Sequence, residues 1–206
     1  MALSFLTVFP ATWNRTPTQG EISNSRTYYP VIGLLLGLLL VGIERGAREV
    51  FPVYLTAVLL LVLLVALTRG LHLDGFMDVC DGLFGGYTRE RRLEIMWDSH
   101  VGAFPYARRD GLGSPFHQGR ARLATVIAAA IAAAASVLAG GIGGAGILVG
   151  VSILVWFLGW VVSRMLGGLT GDTYGATNEL AEVVALIAAV ALLPQGWIKP
   201  LFPLSF

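Results

Sequence analysis

The chain has 206 residues, of which 55% are hydrophobic and 13% charged, and a formal charge of +1. So apolar a composition excludes an ordinary soluble domain of this size and points to a polytopic membrane protein. Near-neutrality gives no field that would recruit nucleic acid, and a single cysteine, Cys80, excludes an intramolecular disulfide.

In chain order, "MALSFLTVFPATW" lacks the basic region and cleavage site of a secretory signal, so it reads as an interfacial lead-in anchored by Phe5, Phe9 and Trp13. The first predicted span, "YYPVIGLLLGLLLVGI", opens at an aromatic pair and Pro30, as membrane helices often do. A short charged turn with Glu44, Arg45, Arg48 and Glu49 leads to a second span from Val53 to Thr68. Its helix is expected to run on through Arg69 into the stretch "LHLDGFMDVCDGLFGG". The polar region from Gly70 to Arg122 has helical character at "RERRLEIMWDSH" and reads as a loop at "YARRDGLGSPFHQGR". Spans near Leu123 to Leu138 and Ile147 to Val162 follow, joined by "GGIGGAG". A second polar island, "RMLGGLTGDTYGATNELAEVV", precedes an apolar segment from Val183 to Leu193 and a tail with Trp197 and Lys199. The fold expected is an all-α, polytopic integral membrane helical bundle of about five to six transmembrane helices, one domain over residues 1–206.

Eight of the fourteen basic residues fall between Arg69 and Arg122, which marks that region as cytoplasmic. Two crossings later the second polar island returns to the same face, so the two acidic clusters are expected to meet there. A multi-pass protein of the cell membrane with its site facing the cytoplasm follows.

Asp74, Asp78 and Asp81 are spaced by four and three residues, within an arc of about 60° on one helical face. Three like charges there repel unless cations neutralise them, and hard oxygen ligands of this kind suit Mg²⁺ or Mn²⁺. Gly75, Gly82, Gly85 and Gly86 strip side chains from one flank, letting a helix or a phosphorylated ligand approach the backbone. Arg89, Arg91 and Arg92 are phosphate candidates, and Asp98, beside Ser99 and His100, is a further ligand or base. Asp172, Glu179 and Glu182 repeat the acidic chemistry behind Gly167, Gly168, Gly171 and Gly175. A lone acid at a helix end usually meets only water and headgroups, but a glycine-flanked triplet beside a span is costly and points to function. His72 and His100 are expected to be interfacial side chains with hydrogen-bonded rings rather than metal ligands, and His117 loop surface. Asp110 can pair with Arg108 or Arg109, although a glycine-flanked arginine pair also suits a pyrophosphate.

"HLDGFMDVCDGLFGG", "RRLEIMWDSHVGAF", "FPYARRDGLG" and "GGLTGDTYGATNELAE", in that order, resemble the adenosylcobinamide-GDP ribazoletransferases, the cobalamin synthases. "FLTVFP" and "YYPVIGLLLG" are similar to that family's N-terminus, so the resemblance covers nearly the whole chain. It implies an Mg²⁺-dependent membrane enzyme of cobalamin biosynthesis. Such an enzyme joins α-ribazole or its 5'-phosphate to adenosylcobinamide-GDP, releases GMP and forms adenosylcobalamin or its 5'-phosphate. Its aspartate motif resembles in logic that of the CDP-alcohol phosphotransferases. The resemblance implies metal binding by Asp74, Asp78, Asp81 and Asp98, with Asp98 and Asp81 as the catalytic carboxylates. Arg89, Arg108, Arg109, Gly82 and Gly86 would hold phosphate or nucleotide, and Asp172, Glu179 and Glu182 would complete the site. Partners beyond substrates and bilayer, whether a second copy or other enzymes of the pathway, stay open.

One departure stands out. In the family "DSHVGAF" runs into a glycine-rich apolar helix and a second span precedes "FPYARRDGLG"; here "VGAF" abuts "PYARRDGLG" after Phe104. One helical hairpin of about 40 to 50 residues is missing. An inactive truncated synthase is therefore a rival reading. A phospholipid synthase acting on a CDP-lipid would show a tighter aspartate pattern than "DGLFGG". A cation or proton transporter would carry its acids nearer the middle of its spans.

Overall fold

A computed structural model describes residues 2–10, 18–97 and 122–199. Every regular element among the described residues is helical. They are α1 (Ala2–Leu6), α2 (Gln19–Asn24), a 3₁₀ turn (Ser25–Tyr28), α3 (Tyr29–Arg48), α4 (Val53–Thr68), α5 (Leu71–Gly85), α6 (Arg89–Trp97), α7 (Arg122–Leu166) and α8 (Gly171–Leu192). The described residues group into two compact units, one within Met1–Leu71 and Pro115–Ala132, the other within His72–Ser114 and Ala133–Phe206.

In the first unit α3 begins at the aromatic pair with Pro30 in its opening turn, where a missing N–H costs nothing. It runs on to Arg48, further than the predicted span, so Glu44, Arg45 and Arg48 sit in its last turns rather than in a loop. There Arg48 Nε and Glu44 Oε1 pair at 3.0 Å one turn apart. α4 is apolar on every side, as a helix facing lipid must be. In the lead-in, Phe5 stacks on Tyr29 with ring centroids 6.1 Å apart, Phe9 is exposed, and Trp13 lies outside the described residues.

The expected continuation of α4 through Arg69 is corrected. Arg69 (φ 57°) and Gly70 (φ 62°) both take the left-handed conformation, and a new helix begins at Leu71. Gly70 N–H donates to Val65 O at 2.9 Å, which closes the end of α4. A left-handed arginine is costly. Hydrogen bonds from its guanidinium to Thr7 O at 2.7 Å and Ser4 O at 3.2 Å offset that cost.

In the second unit α5 and α6 fold against the later part of α7 and α8. Val79, Met96, Leu166 and Ala176, one residue from each of these helices, form a small buried core. α7 has 45 residues, about 68 Å at 1.5 Å per residue, more than twice a bilayer core. It is broken at Gly141 (φ 59°, ψ −138°), inside the expected "GGIGGAG" turn, into two stretches that each match one crossing. The chain near its end closes over that break: Gly143 N–H donates to Trp197 O at 3.1 Å and Lys199 N–H to Gly140 O at 3.3 Å.

α8 corrects a second boundary. The apolar span was expected from Val183, but the helix begins at Gly171, so most of the second polar island forms its first turns. Thr170 caps it reciprocally: Thr173 N–H donates to Thr170 Oγ1 at 3.3 Å, and Thr170 N–H to Thr173 Oγ1 at 2.8 Å. Three described helical segments are long and apolar enough to cross a membrane, four if α4 and α5 count as one broken span. With α7 divided at Gly141 the number approaches that expected from sequence. The chain is an all-α membrane protein.

Candidate functional site

The site is organised by a crossing of α5 and α8 at glycine. A Cβ added to Gly75 would lie 2.9 Å from both Cα and O of Asp172. One added to Gly175 would lie 3.1 Å from His72 O and 3.5 Å from Gly75 Cα. The order of these contacts makes the two helices antiparallel, with backbone on backbone and no side chain between. Only glycine allows so close an approach.

This crossing delivers Asp172 to the aspartate face of α5. Asp74, Asp78 and Asp81 are half-buried along one stripe, and the charges of Asp74, Asp172 and Asp81 all act on Asp78. Asp172 is half-buried too, feels the charge of Asp74, and receives a long hydrogen bond of 3.4 Å from Thr170 Oγ1. Carboxylates from two helices thus come within electrostatic range of one another, with Asp78 acted on by the other three and Asp172 by Asp74. The start of the first polar island, on α5, thus meets the start of α8 in the second.

The second acidic cluster does not stay together. Glu179 and Glu182 lie two and three turns further along α8, and Glu182 sits at the His72 end of the crossing. There Asn178 Nδ2 donates to Glu182 Oε1 at 2.7 Å and lies 2.9 Å from His72 Nδ1. Because the carboxylate can only accept, the amide nitrogen faces both partners, which makes His72 Nδ1 an acceptor and puts the ring proton on Nε2. His72 is therefore a hydrogen-bonded ring, as expected. Asn178 was missed by sequence reasoning, and the signal available was its four-residue spacing to Glu182.

α6 folds back along α5 and takes up the glycine flank. A Cβ on Gly82 would collide with the Met96 side chain and lie 2.9 Å from Arg92 O. One on Gly86 would lie 2.8 Å from Arg92 N. Gly82 and Gly86 therefore seat α6. Arg92 Nε donates to Gly86 O at 2.9 Å, and Arg91 pairs with Glu94 at 2.8 Å on the surface. Arg89 Nε donates to Leu166 O at 2.7 Å, tying α6 to the end of α7, while its remaining guanidinium nitrogens keep donor capacity. A Cβ on Gly167 (φ 72°) would collide with that guanidinium. Asp98, Arg108 and Arg109 lie outside the described residues, as do His100, Asp110 and His117.

Among the described residues no three acidic, histidine or cysteine side chains lie close enough to hold a metal by themselves. Mg²⁺ rarely uses such a cage; one or two carboxylates, waters and substrate phosphates complete its shell. The donor set on α5 and α8, all hard carboxylate oxygens, fits an ion of that kind.

Comparison with known proteins identifies the family. The family model described as cobalamin-5-phosphate synthase matches residues 1–105 and 103–190. A protein of Syntrophobacter fumaroxidans named adenosylcobinamide-GDP ribazoletransferase is 36% identical over 240 positions, covering 93% of this chain and 97% of the relative. Proteins of the same name from Desulfitobacterium hafniense and Geotalea daltonii are 34% and 31% identical, with 94% and 93% of this chain covered and 96% of each relative. No solved structure matches. In the first of these alignments 93% of 206 residues supplies only about 192 of the 240 positions, so about 48 face no residue of this chain. The two matched segments meet at residues 103–105, at the junction from which the hairpin is missing. With both polar motifs matched in order over most of its length, the chain belongs to the cobalamin-5-phosphate synthase family.

Proposed function

We propose that the chain is an adenosylcobinamide-GDP ribazoletransferase of cobalamin biosynthesis. It joins α-ribazole or its 5'-phosphate to adenosylcobinamide-GDP, releases GMP, and leaves adenosylcobalamin or its 5'-phosphate. The observation that carries this reading is the arrival of Asp172 beside Asp74 and Asp78 through a glycine crossing. Such a concentration of like charge is tolerated where the cluster has a cation and a phosphate to hold.

One or two carboxylates among Asp74, Asp78 and Asp172, with waters and the phosphates of the donor, would hold Mg²⁺, with Mn²⁺ as a substitute. When bound, the ion neutralises charge on the pyrophosphate of the donor. The ribazole hydroxyl attacks the phosphorus next to cobinamide. A P–O bond forms there, the anhydride bond to GMP breaks, and Asp81 or Asp98 accepts the hydroxyl proton. Arg108 and Arg109 are the phosphate partners proposed, with Arg89 contributing the guanidinium nitrogens that its bond to Leu166 O leaves over. The clustering of eight of the fourteen basic residues between Arg69 and Arg122 supports a multi-pass protein whose site faces the cytoplasm.

The test is formation of adenosylcobalamin or its phosphate by membranes containing the chain, supplied with both substrates and Mg²⁺, with EDTA as control. Metal-dependent product is expected. The absent positions at residues 103–105 favour one second reading, a synthase that has lost its activity with the hairpin. That reading predicts no product until the hairpin is restored.

A further inference from the structure

A single residue ties the end of α8 and the break of α7 to one level. Trp197 N–H donates to Leu192 O at 3.4 Å, where α8 ends, and Trp197 O accepts from Gly143 N–H at 3.1 Å. Glycine leaves room for this backbone: a Cβ on Gly141 would lie 2.8 Å from Lys199 O. Two helices therefore run inward from one level, and each measures a depth of its own. On α8, Asp172 lies 20 residues before Leu192, about 30 Å at 1.5 Å per residue, which is the thickness of a hydrocarbon core. On α7, no charge follows Gly143 until Arg164, 21 residues and about 31 Å away. Arg164 stands over the Trp160 ring at 5.1 Å, a cation on an aromatic of the kind found at a membrane edge. The two lengths agree, so one boundary of the bilayer passes Arg164 and Asp172.

The same count sets the depth of the crossing. Gly75 meets α8 between Asp172 and Gly175, at that boundary. Because the helices are antiparallel, Asp78 and Asp81 lie on its water side and His72 on its membrane side. Asn178 lies about 9 Å and Glu182 about 15 Å further in than Asp172 along α8. Their hydrogen bonds, to each other and to His72, are what polar groups at such depth require. Leu73 and Met77 lie about 160° around α5 from Gly75, on the side turned away from α8, and Leu73 is exposed. The uniformly apolar part of α8, residues 183–193, measures only about 16 Å and cannot cross a bilayer alone.

We propose that the glycine crossing sits at the edge of the hydrocarbon layer, with Asp78 and Asp81 among the lipid headgroups and Leu73 and Met77 resting on acyl chains. The partner of this face of α5 is the phospholipid layer itself. The placement rests on the spans and not on the transferase reading, to which it adds a depth. A phosphorylated ligand meets these carboxylates at the level of the lipid phosphates, and the chain of His72, Asn178 and Glu182 lies beneath the site within the membrane.

The test is a nitroxide depth profile of the full chain in phospholipid vesicles. Depth is read as access to oxygen, which concentrates in hydrocarbon, against access to a water-soluble nickel chelate. In the otherwise unchanged chain the label goes on Cys80, its single cysteine, and headgroup depth is expected. In a Cys80→Ser background, Tyr174→Cys, Leu180→Cys, Val183→Cys, Ile187→Cys, Val190→Cys and Leu73→Cys each place one label at an exposed position. The profile along α8 is expected to peak at Val183, with Tyr174 and Val190 similarly shallow and Leu73 as deep as Tyr174. If only residues 183–193 are embedded, the peak stands at Ile187 and Leu73, Tyr174 and Cys80 are open to the chelate, which overturns the placement. A peak at Val183 with Leu73 open to the chelate overturns the lipid contact of α5. Should a variant fail to insert, the label on Cys80 decides by itself: full access to the chelate, as in bulk water, overturns the proposal.

Discussion

Gly75 and Asp172 meet backbone to backbone, with 2.9 Å between the place a Cβ would occupy on Gly75 and both Cα and O of Asp172. No flexible side chain stands there to yield, so Gly75→Ala must push α5 and α8 apart. Asp172 moves with α8, and displacements of about 1 Å at a reacting centre cost about a hundredfold in rate. The expected result is a loss of transfer activity of about that size, with about 1–3 kcal/mol lost from stability. Gly175→Ala, whose nearest neighbour is His72 O at 3.1 Å, is expected to lose less of both. Thermal unfolding in detergent, run beside the transfer assay, checks the pair.

Asp78 stands among the charges of Asp74, Asp81 and Asp172. Removing its charge relieves repulsion while it takes away a ligand. Asp78→Asn should therefore abolish metal-dependent transfer and, in EDTA, raise the unfolding temperature. A gain of about 1 kcal/mol corresponds to about 2–4 °C for a chain of this size. Addition of Mg²⁺ should then stabilise the wild-type chain more than the variant. Equal stabilisation of both would remove Asp78 from the metal site.

Much of this arrangement was legible because helical periodicity and charge cost are local rules. The four-and-three spacing of Asp74, Asp78 and Asp81 set one face, and the topology of the spans brought Asp172 to the same side. The division of the second cluster was not legible. Asp172 and Glu179 lie near one face of α8, yet only Asp172 stands where Gly75 lets the helices touch, and a crossing point is a property of two helices together. The break at Arg69 was hidden for a similar reason: an arginine takes the left-handed conformation here because Ser4 and Thr7 accept from its side chain. Gly82 and Gly86 read as openings for a ligand because sequence shows a missing side chain but not which neighbour fills the space.

Gly167 has φ 72°, and a Cβ there would stand 2.5 Å from Arg89 Cζ. Gly167→Ala meets both backbone strain and displacement of the guanidinium, so Arg89 would lose Leu166 O. The expected cost is about 1–3 kcal/mol. Arg89→Lys should not restore the contact, since an ammonium on a straight stem lacks the Nε donor that reaches Leu166 O at 2.7 Å. If Arg89 also holds phosphate, Arg89→Lys raises KM for adenosylcobinamide-GDP, while Gly167→Ala lowers stability first. Unfolding temperatures and KM values for the two variants separate these effects.

Asn178 joins α8 to α5 through His72, at 2.9 Å, while Glu182 holds the same amide nitrogen at 2.7 Å. The contact lies one turn of α8 beyond Gly175, on the side away from Asp172, so it fixes the register of the crossing without touching the acidic cluster. Asn178→Leu keeps the volume but leaves His72 Nδ1 without its donor, a loss of about 1–3 kcal/mol for a half-buried group. Asn178→Asp reverses the polarity: the new carboxylate accepts from His72 and repels Glu182. The ring proton should then move from Nε2 to Nδ1, or the ring should take up a second proton. The chain has three histidines, so ¹⁵N-labelled imidazoles can be assigned by replacing each in turn. The wild-type His72 should show an unprotonated Nδ1 and a protonated Nε2, and Asn178→Asp should show a protonated Nδ1. An Nδ1 already protonated in the wild-type chain would mean that the amide is turned the other way and that Glu182 does not orient it.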